Sequence, residues 1–243
     1  MKHALITGGQ QGIGFGIAVA LHRAGFQITL AAEQPPGAAA DALAALPGAR
    51  YFSHDLRDTD AAALLDRVGP ITTLVSNAGV PARIRGDMLD LTPQNFDHTM
   101  AINLRGTFFL AQAVARQMLA SPDDAYRSLI FVTSVSAQMV SVERAEYCLS
   151  KSAAAMMAQL FAARLAPQGI GVYDIRPGII ATPMTAAVTD TYTARIAGGL
   201  VPAARWGQPA DVGRAVVPLA LGQMAFATGA VIPVDGGLSI QRL

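Results

Sequence analysis

Short unbroken apolar runs alternate along this chain with longer stretches whose apolar residues return at helical spacing. The runs are HALIT from His3, QITLAA from Gln27, ITTLVS from Ile71, SLIFVTS from Ser128, GVYDI from Gly171 and AVIPV from Ala230. Between them, the spacing predicts helices over Ile13–Ala24, Ala38–Leu46, Pro93–Leu119, Ala145–Leu165 and Pro209–Leu221. A strand that does not alternate apolar with polar is buried on both faces. Such strands interleaved with helices predict a doubly wound α/β fold, a parallel sheet covered on both sides. The joints agree: Gly25 follows the first helix as a stop, and Thr92-Pro93 and Gln208-Pro209 open helices with proline in the first turn. In such sheets ligands bind beyond the carboxyl ends of the strands, so the loops after Thr7, Ser76, Ser134 and Arg176 are where chemistry is expected.

Bulk properties narrow the partners. At 243 residues with no Ser- or Pro-rich linker, the chain predicts one domain over 1–243. A net charge of +1 without a basic run argues against nucleic acid and leaves small molecules or further copies of the chain. The single cysteine, Cys148, allows no intramolecular disulfide, and the apolar start is too short for a secretion signal, which points to a cytoplasmic setting. Ala215 to Val234 carries no charge and is long enough to span a bilayer. Pro218, Gly222, Gln223, Gly229 and Pro233 instead divide it into a helix, a turn and a strand, so no membrane partner is expected. The stretch from Tyr147 to Ala166 is apolar nearly all round, so one face can cover the sheet while the other needs a second cover, most simply another subunit.

Two local patterns carry chemistry. TGGQQGIGFG, Thr7 to Gly16, follows the first strand and opens the first helix. Its glycines 8, 12 and 14 permit a tight turn, close approach to a pyrophosphate and close packing of helix on strand, while the helix N-terminus offers free N–H groups. In AEYCLSKSAAAMM, Tyr147 and Lys151 stand four residues apart and so share a helix face; no other tyrosine has a lysine at that distance. Cys148 points about 100° away from Tyr147 and reads as packing. The four histidines show no ligand spacing, so no metal is expected, and no G-x-S-x-G nucleophile elbow is present.

With SNAG at Ser76, INLRGTF around Asn103, TSVS at Thr133, RPGIIAT at Arg176 and VDGG near the end, these motifs cover the whole chain in order. Together they resemble a compact short-chain dehydrogenase/reductase of the 3-oxoacyl-ACP reductase-like kind. The resemblance implies a single Rossmann-type parallel sheet of about seven strands and hydride exchange between a nicotinamide and a ketone or secondary alcohol. It also implies a catalytic tetrad of Asn103, Ser134, Tyr147 and Lys151. Tyr147 would be the general acid/base, Ser134, rather than the nearby Ser136, would polarise the substrate, and Lys151 would grip the nicotinamide ribose. Asn103 would hold a water linking that lysine to solvent, or cap a kink in its long helix. Bringing a phenol from near 10 to around 7 takes about 4 kcal/mol, and an ammonium at about 4 Å in an effective dielectric of about 20 supplies that order.

Cofactor contacts follow from the same resemblance. Gly8, Gln11, Gly12, Ile13 and Gly14 would meet the pyrophosphate, and Asn77, Ala78 and Gly79 the adenosine side. Asp55 and Leu56 would meet the adenine, and Ile180 with Thr182 the carboxamide, with Pro177 and Gly178 shaping that last turn of the cofactor site; Asp55 could instead cap a helix before DTDAA. Ala32 and Glu33 stand where the family chooses its ribose. With Gln11 in place of an arginine, a 2′-phosphate finds no cation and one carboxylate, so NAD(H) is expected over NADP(H). Gln138, Met139, Val140, Glu143 and a lid at about 183–207 would wall the substrate pocket. The family further implies a homotetramer paired through Pro93–Leu119 and Ala145–Leu165. The other readings are a 3-oxoacyl-ACP reductase proper and a non-catalytic nucleotide-sensing protein.

Overall fold

The strands β1 (His3–Thr7), β2 (Gln27–Ala32), β3 (Arg50–Ser53), β4 (Thr73–Ser76), β5 (Arg127–Val132), β6 (Ile170–Pro177) and β7 (Val231–Val234) form one sheet in the computed structural model, which describes residues 1–58, 60–121 and 124–242. Their order is β3-β2-β1-β4-β5-β6-β7, and every neighbouring pair is parallel. The helices are α1 (Gly12–Arg23), α2 (Ala40–Ala45), α3 (Ala61–Val68), α4 (Pro93–Met100), α5 (Thr107–Ala120), α6 (Ala145–Leu165), α7 (Thr189–Ala197) and α8 (Pro209–Ala220).

Successive residues of the interior strands feed opposite cores. Leu5, Leu74, Leu129, Phe131 and Val172 face Leu65 of α3, Val114 of α5 and Met157 of α6. Ala4, Ile6, Val75, Ile130 and Ile175 face Ile17 and Leu21 of α1 and Val216 of α8. This two-sided burial is why the strands read as continuous apolar runs.

Three elements, β3, α3 and α7, lack a signal in the apolar pattern. β3 lies at the sheet edge with its residues only partly buried or exposed, and α3 follows an acidic stretch. Asp60, not Asp55, caps α3, its carboxylate accepting from Ala63 N at 3.3 Å. The uncharged stretch from Ala215 divides as its prolines and glycines predict, into the end of α8, a turn and β7. Among the described residues no helix is long and apolar enough to cross a membrane.

The long helix expected over Pro93–Leu119 is not continuous α-helix. Between α4 and α5, Ala101–Gly106 winds as a π-helix, the wider turn that leaves an α-helical register by one residue. Gly106 closes it against the chain before α3: a Cβ there would lie 1.8 Å from the carbonyl oxygen of Leu56. Because that obstacle is backbone, Gly106→Ala is expected to cost at least about 2 kcal/mol and lower the melting temperature by roughly 4–8 °C. An unchanged thermal unfolding midpoint would show that the two segments are not in contact.

Candidate active site

β1 pairs with β2 on one side and β4 on the other, so the direction of winding reverses between β1 and β4. A cleft opens over the carboxyl ends at this reversal, where such folds bind ligands. Gly8 enters the loop with φ +63°, a left-handed conformation that favours glycine, and Gly12 follows with φ +55°. Gln11, the N-cap of α1, makes no side-chain capping bond, and the first turn holds no acidic residue. The helix therefore presents uncapped N–H groups at Gly12 and Ile13 to the cleft, a site suited to a phosphate.

Asn77 fastens this loop to the next strand. Its side-chain amide donates to the carbonyls of Thr7 at 2.9 Å and Gly8 at 3.3 Å, while Thr7 Oγ1 accepts from the N–H groups of Asn77 and Ala78, each at 3.0 Å. Gly14 serves the same joint from behind: a Cβ there would lie 2.3 Å from Gly8 O and 2.6 Å from Asn77 Nδ2. It does not line the cleft.

At the far end of the cleft, Lys151 Nζ sits 5.7 Å from the centroid of the Tyr147 ring. Lys151 is 8 % exposed and its ammonium donates to Val132 O at 3.1 Å; no carboxylate pairs with it among the described residues. Ser134, at the end of β5, begins a short 3-10 turn with its Oγ accepting from Ser136 N at 3.0 Å, which leaves its own hydrogen free to donate. Asn103 lies in the π-helical turn. Its Oδ1 accepts from Val80 N at 2.8 Å, and its Nδ2 donates to Val80 O at 2.9 Å and Ser150 Oγ at 3.1 Å. Both amide hydrogens are thus engaged, and a water on this side chain is left the second lone pair of Oδ1.

A buried ion pair underlies this end. Arg176 Nε donates to Asp174 Oδ2 at 2.8 Å, and Asp174 Oδ1 accepts from the Thr133 hydroxyl, whose residue borders the cleft. At the opposite end, beyond β2 and β3, the walls are Ala32, Glu33, Gln34, His54, Asp55 and Leu56. Arg57 grips Asp55 with two nitrogens, Nε at 2.9 Å and Nη2 at 2.5 Å, and this hydrogen bonding holds the carboxyl below the usual carboxylate range. Burial pushes the neighbouring His54 imidazole down.

Of the residues expected at the site, Gly8, Gln11, Gly12, Ile13, Glu33, Asp55, Leu56, Asn77, Ala78, Gly79, Tyr147, Lys151 and Thr182 line this one cleft. Pro177, Gly178 and Ile180 do not. Pro177 ends β6, Gly178 packs on Asp235, and Ile180 is 3 % exposed, bridged to Gly207. The run RPGIIAT therefore shapes the turn and delivers only Thr182 to the wall. Asn103 and Ser134 stand just behind the lining. Sequence reasoning did not single out Thr7, Gln10, Gln34, His54, Val80, Ile102 or Thr133 as lining residues. Thr7 and Gln10 had a signal in the glycine loop, and Ile102 and Thr133 in the runs INLRGTF and TSVS.

These motifs have counterparts in known proteins. A family model described as "Enoyl-(Acyl carrier protein) reductase" matches residues 8–239. The 3-oxoacyl-[acyl-carrier-protein] reductase MabA of Mycobacterium bovis is 32% identical, over 98% of this chain and 93% of its own. The crystal structure of a 3-oxoacyl-[acyl-carrier protein] reductase from Brucella melitensis in complex with NAD has a TM-score of 0.95 at 45% identity, covering 100% of this chain and 98% of that one. A putative 2-deoxy-d-gluconate 3-dehydrogenase from Agrobacterium tumefaciens with bound NADP has a TM-score of 0.89 at 30% identity, over 99% and 97% of the two chains. The chain belongs to the short-chain dehydrogenase/reductase family, NAD(P)-dependent oxidoreductases that interconvert ketones and secondary alcohols.

Proposed function

We propose that this chain uses Tyr147 as the general acid/base of a ketone–alcohol oxidoreductase that takes NAD(H) in preference to NADP(H). The observation that carries the reading is Lys151, a buried ammonium without a carboxylate partner among the described residues, beside the Tyr147 ring in the cleft that begins at the glycine loop. The nicotinamide fits that cleft by its donors: the uncapped start of α1 suits a pyrophosphate, and Lys151 has hydrogens left for a ribose. When bound, it supplies or accepts the hydride.

The residues of the chain manage the proton. Reduction leaves a developing alkoxide, and the Tyr147 hydroxyl delivers a proton to that oxygen; oxidation reverses the transfer. Lys151 stabilises the phenolate by its charge. Ser134, with a hydrogen to donate, polarises the carbonyl. Asn103 orders the loop at Val80 and the start of α6 through Ser150, and Oδ1 is its remaining acceptor for a relay water.

For the cofactor, the supporting feature is charge. The cleft lining holds Glu33 at the ribose end and no lysine or arginine except Lys151 at the other end. The Brucella relative at 45% identity was crystallised with NAD. Asp55 is the adenine partner, kept ionised by Arg57.

Residues 183–207 form the lid over the substrate. Pro183 and Met184 border the cleft, α7 follows, and Trp206 donates to Thr193 Oγ1 at 3.1 Å to brace the return. A homotetramer fits the apolar face of α5 and α6, where Phe109, Met156 and Leu160 are exposed beside a groove of 640 Å³. Its counterpart is the same face of a second copy. A cytoplasmic setting accords with the one free thiol, Cys148.

Spectrophotometric turnover with NADH and NADPH on ketones, sugars and 3-oxoacyl thioesters tests the reading. NADH is expected to win, and tenfold better turnover with NADPH would defeat the cofactor preference. Tyr147→Phe is expected to lower kcat by about 10²–10⁴-fold while still binding dinucleotide. Wild-type activity in that variant on every substrate would remove Tyr147 from the mechanism. Solution scattering at micromolar concentration is expected to report a tetramer; a monomer would refute the pairing face.

A further inference from the structure

Tyr147 stands between two cations. Lys151 lies one helical turn beyond it, in the dinucleotide cleft, and Arg144, three residues before it at the N-cap of α6, holds its guanidinium 5.5 Å from the centre of the same ring. Lys151 has a task in the reading above; Arg144 has none. Its Nε donates to Ser141 Oγ at 3.3 Å and its backbone N–H to Ser141 O at 3.1 Å, which fixes the course of the side chain. The terminal nitrogens, Nη1 and Nη2, make no hydrogen bond and meet no carboxylate among the described residues.

Arg144 closes the loop that Ser134 opens. The segment between them is fastened to α6, Ser152 donating to Ala137 O at 2.8 Å and the Cys148 thiol approaching the carbonyls of Met139 and Ser141 at 3.9 Å each. One loop thus carries the hydroxyl proposed to polarise the carbonyl at its start and an unengaged guanidinium at its end. The cleft on the Lys151 side is the dinucleotide's, so the loop side of Tyr147 is the one left to a substrate. Of the nearby carboxylates, Glu143 is exposed, and Glu146, 2 % exposed, lies on the helix face of Ser150, four residues on. The loop after β4 meets this one where Gly86 N–H donates to Glu143 O at 3.3 Å, and it brings the exposed Arg83 and Arg85. Its Asp87 accepts from Leu89 N at 3.0 Å within its own turn.

Two free nitrogens in one plane match the two oxygens and single charge of a carboxylate, a geometry that gives direction as well as strength. We infer that Arg144 is a specificity-determining residue that binds a substrate carboxylate beside the reacting carbonyl. The substrate is then a short oxo acid, or the corresponding hydroxy acid, and not a neutral ketone, sugar or polyol. This rests on the oxidoreductase reading above and names the substrate class for it. The carboxylate is unchanged in the reaction: NADH is oxidised as its hydride reaches the carbonyl carbon, and the proton of the new hydroxyl comes from Tyr147. A phosphate carries a second charge that this one fork does not match.

Matched acids and methyl esters separate charge from the rest of the molecule: pyruvate, acetoacetate and levulinate against their esters, with oxidation of NADH and NADPH followed in the full chain. The wild-type chain is expected to favour at least one acid over its ester about tenfold in kcat/KM. Arg144→Gln is expected to lower that ratio about 10–100-fold, chiefly through KM, and Arg144→Lys, which keeps the charge and loses the fork, to restore part of it. An arginine that merely packs on the Tyr147 ring would slow acid and ester alike when removed. An unchanged ratio in Arg144→Gln, or a wild-type chain that favours no acid over its ester, would overturn the inference. So would a stronger preference for dihydroxyacetone phosphate over dihydroxyacetone than for any acid over its ester. If melting temperatures show that Arg144→Gln is not folded, butyrate and butyramide as competitors of a reducible ketone give the comparison in the wild-type chain: butyrate is expected to inhibit more strongly, and equal or weaker inhibition refutes the carboxylate site. A wild-type chain that reduces no carbonyl, charged or neutral, with either dinucleotide would instead overturn the oxidoreductase reading.

Discussion

The side-chain amide of Asn103 binds three parts of the active site to one another: the loop after β4 through both polar groups of Val80, the π-helical turn that carries it, and α6 through Ser150. It is 4 % exposed, so these bonds are made where water does not compete. Ser150 passes the connection on by donating to the carbonyl of Tyr147 at 2.8 Å. The position of the proposed acid/base therefore depends on a turn in a different helix. An ordinary α-helical register there would rotate the amide away from Val80, which gives the π-helix a structural reason.

Charge is arranged with similar economy. Asp174 and Arg176 pair in the interior below β5 and β6, each under a tenth exposed, and Thr133 completes the carboxylate's contacts. These bonds offset the desolvation of the pair in part, since the buried Nη1 of Arg176 has no hydrogen-bond partner. Lys151 receives no such partner and is one of only two lysines in the chain. An ammonium held this way keeps hydrogens to donate, which the proposed role beside Tyr147 would use.

The architecture was largely readable from the residues because strands buried on both faces must be continuously apolar. HALIT, QITLAA and SLIFVTS lie in the middle of the sheet and declare themselves, while RYFS, at the edge and half covered, carries no such mark. The site was legible for a related reason. Glycines 8 and 12 are required by positive φ, and the Tyr147–Lys151 spacing by one helical turn, so those demands appear as residue types at fixed intervals. RPGIIAT combines both kinds of demand, since Pro177 and Gly178 maintain its turn while Thr182 reaches the cleft wall.

The order of residues alone determined the parallel sheet, the glycine loop that opens α1, the shared face of Tyr147 and Lys151, and the apolar surplus on α6, since each follows from local geometry and periodicity. Tertiary structure decided what distant segments do to one another. It opened the helix into a π turn at Ala101–Gly106 and set Gly106 against Leu56, gave the cap of α3 to Asp60, and brought Gln10 to Gln34 across the cleft. None of these is encoded in spacing along the chain. Each depends on separations that folding closes, and hydrogen bonding and steric exclusion act through that closeness.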